Sequence, residues 1–250
     1  LTLFSRARQI PRGASGKKVL SYETESREVM RSRFDQQLMQ LKEMLVETGE
    51  LCEQAISQTM VALSSSSDEI AREVIRADAQ IDQMERDIEH LCLKLLLQQQ
   101  PVAGDLRQVS AALKMITDME RIGDQAADIA EIVKSTDMSL VRGFPKIPQM
   151  AAKTAEMVHD AVQSFVDRDL ALATATQAAD DAVDRMFDEV ATEMIDFIVH
   201  ADAADAQKAI DVIMIAKYLE RIGDHATNIA EWVDFAITGV HDVSFDTKSA

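Results

Sequence analysis

The sequence predicts an all-α protein built as two tandem antiparallel three-helix bundles, six long helices in all. Three observations carry that prediction. The 250 residues include only 8 Gly and 4 Pro, while Ala, Leu, Ile and 13 Met are plentiful and aromatics make up only 4%. That is the composition of good helix formers with few breakers. Apolar residues recur at alternating steps of three and four, as on one buried helix face. A twelve-residue phrase also occurs twice, ERIGDQAADIAE at 120–131 and ERIGDHATNIAE at 220–231, with nine positions identical at an offset of 100. Self-similarity at one fixed offset marks a duplicated unit.

Residues 1–27 are polar, basic and aperiodic, with Pro11, Gly13 and Gly16, and read as a flexible tail or an expression remnant outside the fold. The first bundle, 28–136, opens with a helix expected from about 28 to 62, with Leu38, Leu41, Leu45, Cys52, Ile56 and Val61 on or near one stripe. The serine run Ser64–Ser67 ends it, and Ser66 with Glu69 has capping-box spacing for a second helix. That helix places Ile70, Val74, Ala77, Ile81, Met84, Ile88, Leu91 and Leu95 on its core face and stops near Gln99, ahead of Pro101 and Gly104. A third helix runs from Val102 or Asp105 to Lys134, with Ile116, Met119, Ile122, Ala126, Ile129 and Val133 as its stripe. A linker, 137–146, is marked by Gly143, Pro145 and nearby Pro148. The second bundle, 147–240, repeats the scheme with helices near 147–166, 169–199 and 204–238 and a frayed end from Gly239.

The 47% hydrophobic content is enough for a real core. The net charge is −17, and the first 22 residues hold five basic side chains and no acid, which leaves −22 for the rest. Such a surface repels nucleic acid and anionic lipid and attracts cations, so no nucleic-acid partner is expected. Cys52 and Cys92 form neither a disulfide framework nor a zinc pattern. No apolar run reaches the roughly 18 residues of a membrane span, and no signal-peptide core lies near the start. A cytoplasmic protein is expected.

The acids carry the chemistry. In each copy of the phrase a Glu and an Asp stand four apart, Glu120 with Asp124 and Glu220 with Asp224. That spacing stacks both carboxylates on one helix face, where like charges repel by about 0.2–0.5 kcal/mol. Asp128 extends the first set, and Asn228 stands in its place in the second. The middle helices add Asp78 and Asp82, followed by Glu85 and Glu89, in one half and Asp180 and Asp184, with Asp181 beside them, in the other. If these faces adjoin, four carboxylates converge in each bundle.

An acidic row is ordinarily a solvated face. Here like charges stack instead of alternating with Lys, both halves do it, and a mid-helix Gly (Gly123, Gly223) sits beside the acids at about 1 kcal/mol relative to Ala. Such a glycine equally serves close helix packing. On a helical wheel the acids of the third helix point roughly away from its apolar stripe, which places the site on the surface. All-oxygen donor sets suit hard divalent cations or iron and manganese. A di-iron enzyme would need Glu-x-x-His on two helices; only Glu156 with His159 has that spacing, and His159 reads as a surface or interhelix histidine. His225 has Gln125 as its counterpart, which argues against a shared ligand role. Without a phosphate-cradling loop, nucleophile elbow or kinase signature, catalysis is not indicated. A metal-dependent hydrolase or oxidase is the alternative class.

The doubled Glu-Arg-Ile-Gly-Asp phrase, each copy in a three-helix unit, resembles the PhoU family of phosphate-signalling proteins. The stretch Gln99–Arg107 before the third helix is similar to that family's sequence at the same place. The resemblance covers about residues 30–238. It implies two PhoU-type bundles and a cytoplasmic, homodimeric negative regulator of the phosphate regulon. Such an adaptor would touch the ATPase of the phosphate ABC transporter and the membrane sensor histidine kinase. It also implies clusters of divalent or iron-type metal ions (Fe, Mn, Zn or Mg) on Glu120/Asp124 and Glu220/Asp224, completed by Asp78/Asp82 and Asp180/Asp184, with Asp128 making the first set unlike the second. The basic tail lies outside the family pattern.

Overall fold

The structure, a computed structural model, describes residues 15–99, 103–137, 139–141 and 144–240, with backbone only for 15–30 and 98–99. It is all-α: α1 (Ser15–Ser65), α2 (Asp68–Gln99), α3 (Ala103–Ser135), α4 (Lys146–Asp167), α5 (Leu170–His200) and α6 (Ala203–Thr238). Helices α1–α3 and α4–α6 form two tandem three-helix bundles.

The helix ends follow local chemistry. Ser67, one residue later than the spacing of Ser66 and Glu69 suggests, caps α2: its Oγ accepts the Ile70 N–H at 3.3 Å, while Ser66 takes the left-handed turn at φ 50°. Asp169 and Asp202 cap α5 and α6 by accepting the amides of Ala171 and Leu172 and of Ala204 and Asp205. Gly239 ends α6 in the left-handed conformation, its N–H bonded to Phe235 O. Pro148 belongs to the first turn of α4, not to the linker. Its missing N–H costs nothing there, because first-turn amides lack helical partners.

The first helix starts well before residue 28. α1 begins at Ser15, so 15–27 are helical and only part of the expected tail, 1–14, remains, outside the described residues. Pro101, Gly143 and everything after Val240 also lie outside them. Val61, expected on the buried stripe, is 48% exposed, and Ala62 and Leu63 are buried in its place.

The repeats share one core. Buried side chains from all six helices form a single continuous apolar cluster. α3 packs on α1, α2 and α6, and α6 packs on α3, α4 and α5, so these two helices are buried on more than one side. Across the seam α1 and α4 run antiparallel, with Lys42 Nζ on Val166 O at 2.7 Å and Glu53 on His159 Nδ1 at 3.1 Å. His159 is thus an interhelix histidine, turned from Glu156, which pairs with Lys153. α3 and α6 are antiparallel too: Lys114 lies over the Trp232 ring, and Thr136 donates to Asp211 at 2.8 Å. Within the first repeat, the nearly buried Asp105 at the start of α3 takes Arg31 of α1 at 2.6 Å.

Candidate carboxylate clusters

α2 and α3 pack so closely at Gly123 that a Cβ there would stand 2.7 Å from Asp78 Oδ1 and 2.9 Å from Ile81 Cδ1. The missing side chain makes a recess in α3, and the Asp78 carboxylate occupies it. Oδ1 of Asp78 is buried without a hydrogen-bond partner. Burial, and then the charges of Asp124, Asp82 and Asp128, push the Asp78 carboxyl up to about 6. Glu120 is raised by burial and by Asp124, with Arg121 opposing. Asp128 is raised by burial and by Glu131 and Asp124, with Tyr218 and Arg221 of α6 opposing. Asp78, Asp82, Glu120, Asp124 and Asp128 therefore share one electrostatic field.

The second repeat rebuilds the arrangement. Gly223 faces α5, where a Cβ would meet Asp180 Oδ1 at 3.2 Å. Oδ1 of Asp180 is likewise buried and unpartnered. Burial, then Asp184, Asp224, Glu220 and Asp181, push this carboxyl up to about 6 as well. Asp224 is raised by burial and by Glu220, with Lys217 and His225 opposing. Asp180, Asp184, Glu220 and Asp224 thus share one electrostatic field.

One expectation is corrected. The acids of α3 do not point away from its core: Glu120, Asp124 and Asp128 are only partly exposed and line the groove against α2. The wheel assumes a single buried stripe, whereas α3 is wrapped on three sides and its acids occupy the margin between two of them.

The basic neighbours are local. Arg121 pairs with Asp124 at 3.0 Å and Glu120 at 3.4 Å, Arg86 with Asp82 at 3.8 Å, and Lys217 with Glu220 at 2.5 Å. His225 does not enter the second cluster. It turns across the seam to Asp118 of α3, Nδ1 to Oδ1 2.9 Å, beside Asn228 Nδ2 at 3.2 Å from the same oxygen. Asn228 therefore serves the seam. Sequence reasoning passed over Asp118, Lys217 and Tyr218. The repeat offset was the available signal, because it pairs Asp118 with Tyr218 as unlike residues at equivalent positions.

The donor set fits a hard cation. Each cluster is all oxygen and places a buried carboxylate oxygen without a hydrogen bond, Oδ1 of Asp78 or of Asp180, in a recess that a Cβ would narrow. Among the described residues no three His, Cys, Asp or Glu side chains stand grouped as around a bound ion. Mutual repulsion is expected to hold such carboxylates apart. Cys52 and Cys92 are free and buried.

The PhoU domain matches residues 45–133 and 147–233, once in each bundle. The chain belongs to the PhoU family. Among PhoU relatives, a phosphate-specific transport system accessory protein PhoU homolog from Clostridium acetobutylicum is 34% identical over 211 residues, which cover 84% of this chain and 96% of that protein. The Zymomonas mobilis homolog of the same name is 35% identical, over 82% of this chain and 87% of its own length. The crystal structure of PhoU from Pseudomonas aeruginosa superposes with a TM-score of 0.78 at 31% identity, covering 83% of this chain and all of that one. The phosphate transport system regulatory protein PhoU of Streptococcus pneumoniae gives 0.77 at 26% identity, over 83% of this chain and 98% of its own. The two PhoU units coincide with the two carboxylate clusters. Among the described residues no helix is long and apolar enough to cross a membrane.

Proposed function

We propose that this chain is a regulatory adaptor of phosphate-specific transport, a negative regulator that quiets phosphate-responsive genes when phosphate is abundant. The observation that carries the reading is the match of both bundles, over nearly the whole length of the relatives, to proteins named as accessory to the phosphate-specific transport system. Its partners are the ATPase of the phosphate ABC transporter and the sensor histidine kinase, met on the cytoplasmic side. Its work is to bind and relay and not to turn over a substrate.

Each repeat holds hard divalent or iron-type cations on its carboxylate cluster, Asp78, Asp82, Glu120, Asp124 and Asp128 in the first and Asp180, Asp184, Glu220 and Asp224 in the second. Two buried, unpartnered carboxylate oxygens in matching recesses support this, as does the chain's net charge of −17. A bound cation would answer the desolvated charges and stabilise the fold by mass action.

The regulatory claim is tested in a bacterial strain whose PhoU-family gene is deleted and which carries a phosphate-starvation reporter. The reporter is expected to run in high phosphate without this chain and to fall silent when the chain is expressed. A reporter that stays on, with the chain present at normal levels in soluble extract, would overturn the reading.

A further inference from the structure

The duplication places two equivalent stretches along the α3–α6 seam, and they are finished differently. In one of them Lys114 of α3 lies 5.9 Å from the centre of the Trp232 ring of α6, and Phe235, one turn on, packs edge-on against that ring at 5.9 Å. Asp118 closes the same stretch by meeting His225 and Asn228. At the offset of 100 the equivalents of Lys114, Trp232 and Phe235 are Met214, Ile132 and Ser135. The antiparallel register that sets Lys114 beside Trp232 sets Met214 level with Ile132. The indole and the phenyl ring that fill one stretch are thus missing from the other.

In their place stands an open groove of about 550 Å³, lined by Asp128, Glu131, Ile132, Lys134, Ser135 and Tyr218. Tyr218, Met214 and Ile210 follow one another at intervals of four on α6, so the apolar floor runs on along one helix face. Met214 is 39% and Ile210 46% exposed. Ser135 donates its hydroxyl back to the carbonyls of Glu131 and Ile132, so that donor is spent within α3. At the rim two carboxylates, Asp128 and Glu131, stand against one ammonium, Lys134, on a chain of net charge −17. An open apolar floor with an acidic rim suits an amphipathic helix that lays its apolar face into the groove and carries basic residues beside it.

We propose that this groove is the docking site for a basic amphipathic helix of a partner protein, which seats a large aromatic side chain beside Ile132 and Met214 and sets lysine or arginine against Asp128 and Glu131. The twin stretch shows the fit from within the chain, since it holds an indole with a lysine over its face. The seam is thus asymmetric although the fold is duplicated. A docking site of this kind deepens the adaptor reading and rests on it for a partner; it needs no bound cation.

The test is fluorescence anisotropy of a labelled synthetic helix, with Trp and Leu one turn apart on one face and Lys on the other, titrated with the full chain. Saturable binding is expected for this peptide and none for its counterpart with Glu in place of Lys. Ile132→Trp with Ser135→Phe gives the groove the rings of its twin and is expected to weaken binding about 10-fold, the scale of losing one anchor. Glu131→Lys, on the exposed rim, should weaken it as well and leaves the core untouched. Circular dichroism restricts the comparison to folded protein. No binding by wild type, equal binding of the acidic peptide, or unchanged affinity in a folded variant would each overturn the proposal. Two other occupants would overturn it too. A wild-type dimer in sedimentation that the filled variant abolishes gives the groove to a second copy. Binding that appears only with Arg6→Gln, Arg8→Gln and Arg12→Gln gives it to the chain's own basic segment. Reporter silencing without peptide binding leaves the adaptor reading standing and strikes the groove alone.

Discussion

Asp78 and Asp180 are the residues at which the fold works against itself. Each is a carboxyl raised to about 6 by burial and neighbouring acids, from an ordinary value of 3.8. The folded chain therefore keeps protons on them that the unfolded chain releases between about pH 4 and 6. Their contribution to stability is fully present below about pH 4 and is lost as pH rises through 6. Asp78→Asn is accordingly expected to raise the thermal midpoint of the metal-free protein at pH 7.5 and to change it little at pH 4, as followed by circular dichroism. An equal effect at both pH values would show that Asp78 is not strained by its charge. A cation at the cluster reverses the balance, since it binds the deprotonated form.

At the scale of elements, the glycines of the repeated phrase set how closely helices approach. Gly123→Ala adds a methyl at 2.7 Å from the Asp78 carboxylate, whereas Gly223→Ala adds one at 3.2 Å from that of Asp180. Overpacking costs about 1–3 kcal/mol, against about 1 kcal/mol gained in helix propensity. Gly123→Ala should therefore lower stability to urea by about 1 kcal/mol, and Gly223→Ala should leave it nearly unchanged. A loss of equal size in both would mean that the two recesses are alike. The helices themselves were legible from sequence because breakers are few and caps are chemical: Asp169, Asp202 and Gly239 stand where the structure uses them. The start of α1 was not, since 15–27 carry no clear apolar stripe. Nor was the orientation of the α3 acids, because a wheel cannot show that a helix is enclosed by three neighbours. Periodicity reports how much of a helix is apolar, and what covers each side is decided by the partner elements.

At the scale of the whole molecule, duplication explains why two sites exist and why they are unequal. That each middle helix carries a carboxylate pair with the spacing of the phrase, Asp78/Asp82 and Asp180/Asp184, was readable in the sequence; which helix faces those pairs was not. The seam was not, because its members come from different copies of the phrase and look like drift between them: Asp118 against Tyr218, Gln125 against His225, Asp128 against Asn228. Among them, His225 and Asn228 of one copy meet Asp118 of the other. The chain as a whole carries a charge of −17, and the four- and five-carboxylate clusters concentrate part of it in two grooves that cations are expected to relieve.

The central claim is that the repeated phrase is a ligand set, and elemental analysis tests it most directly. Wild-type protein is purified beside the quadruple variant Glu120→Ala, Asp124→Ala, Glu220→Ala, Asp224→Ala, and both are dialysed against Mn²⁺, Fe²⁺ and Zn²⁺ in turn. Several bound equivalents in wild type, and almost none in a variant that remains helical, is the expected result. A wild-type chain that stays empty in all three, or a variant that keeps its metal, would contradict it.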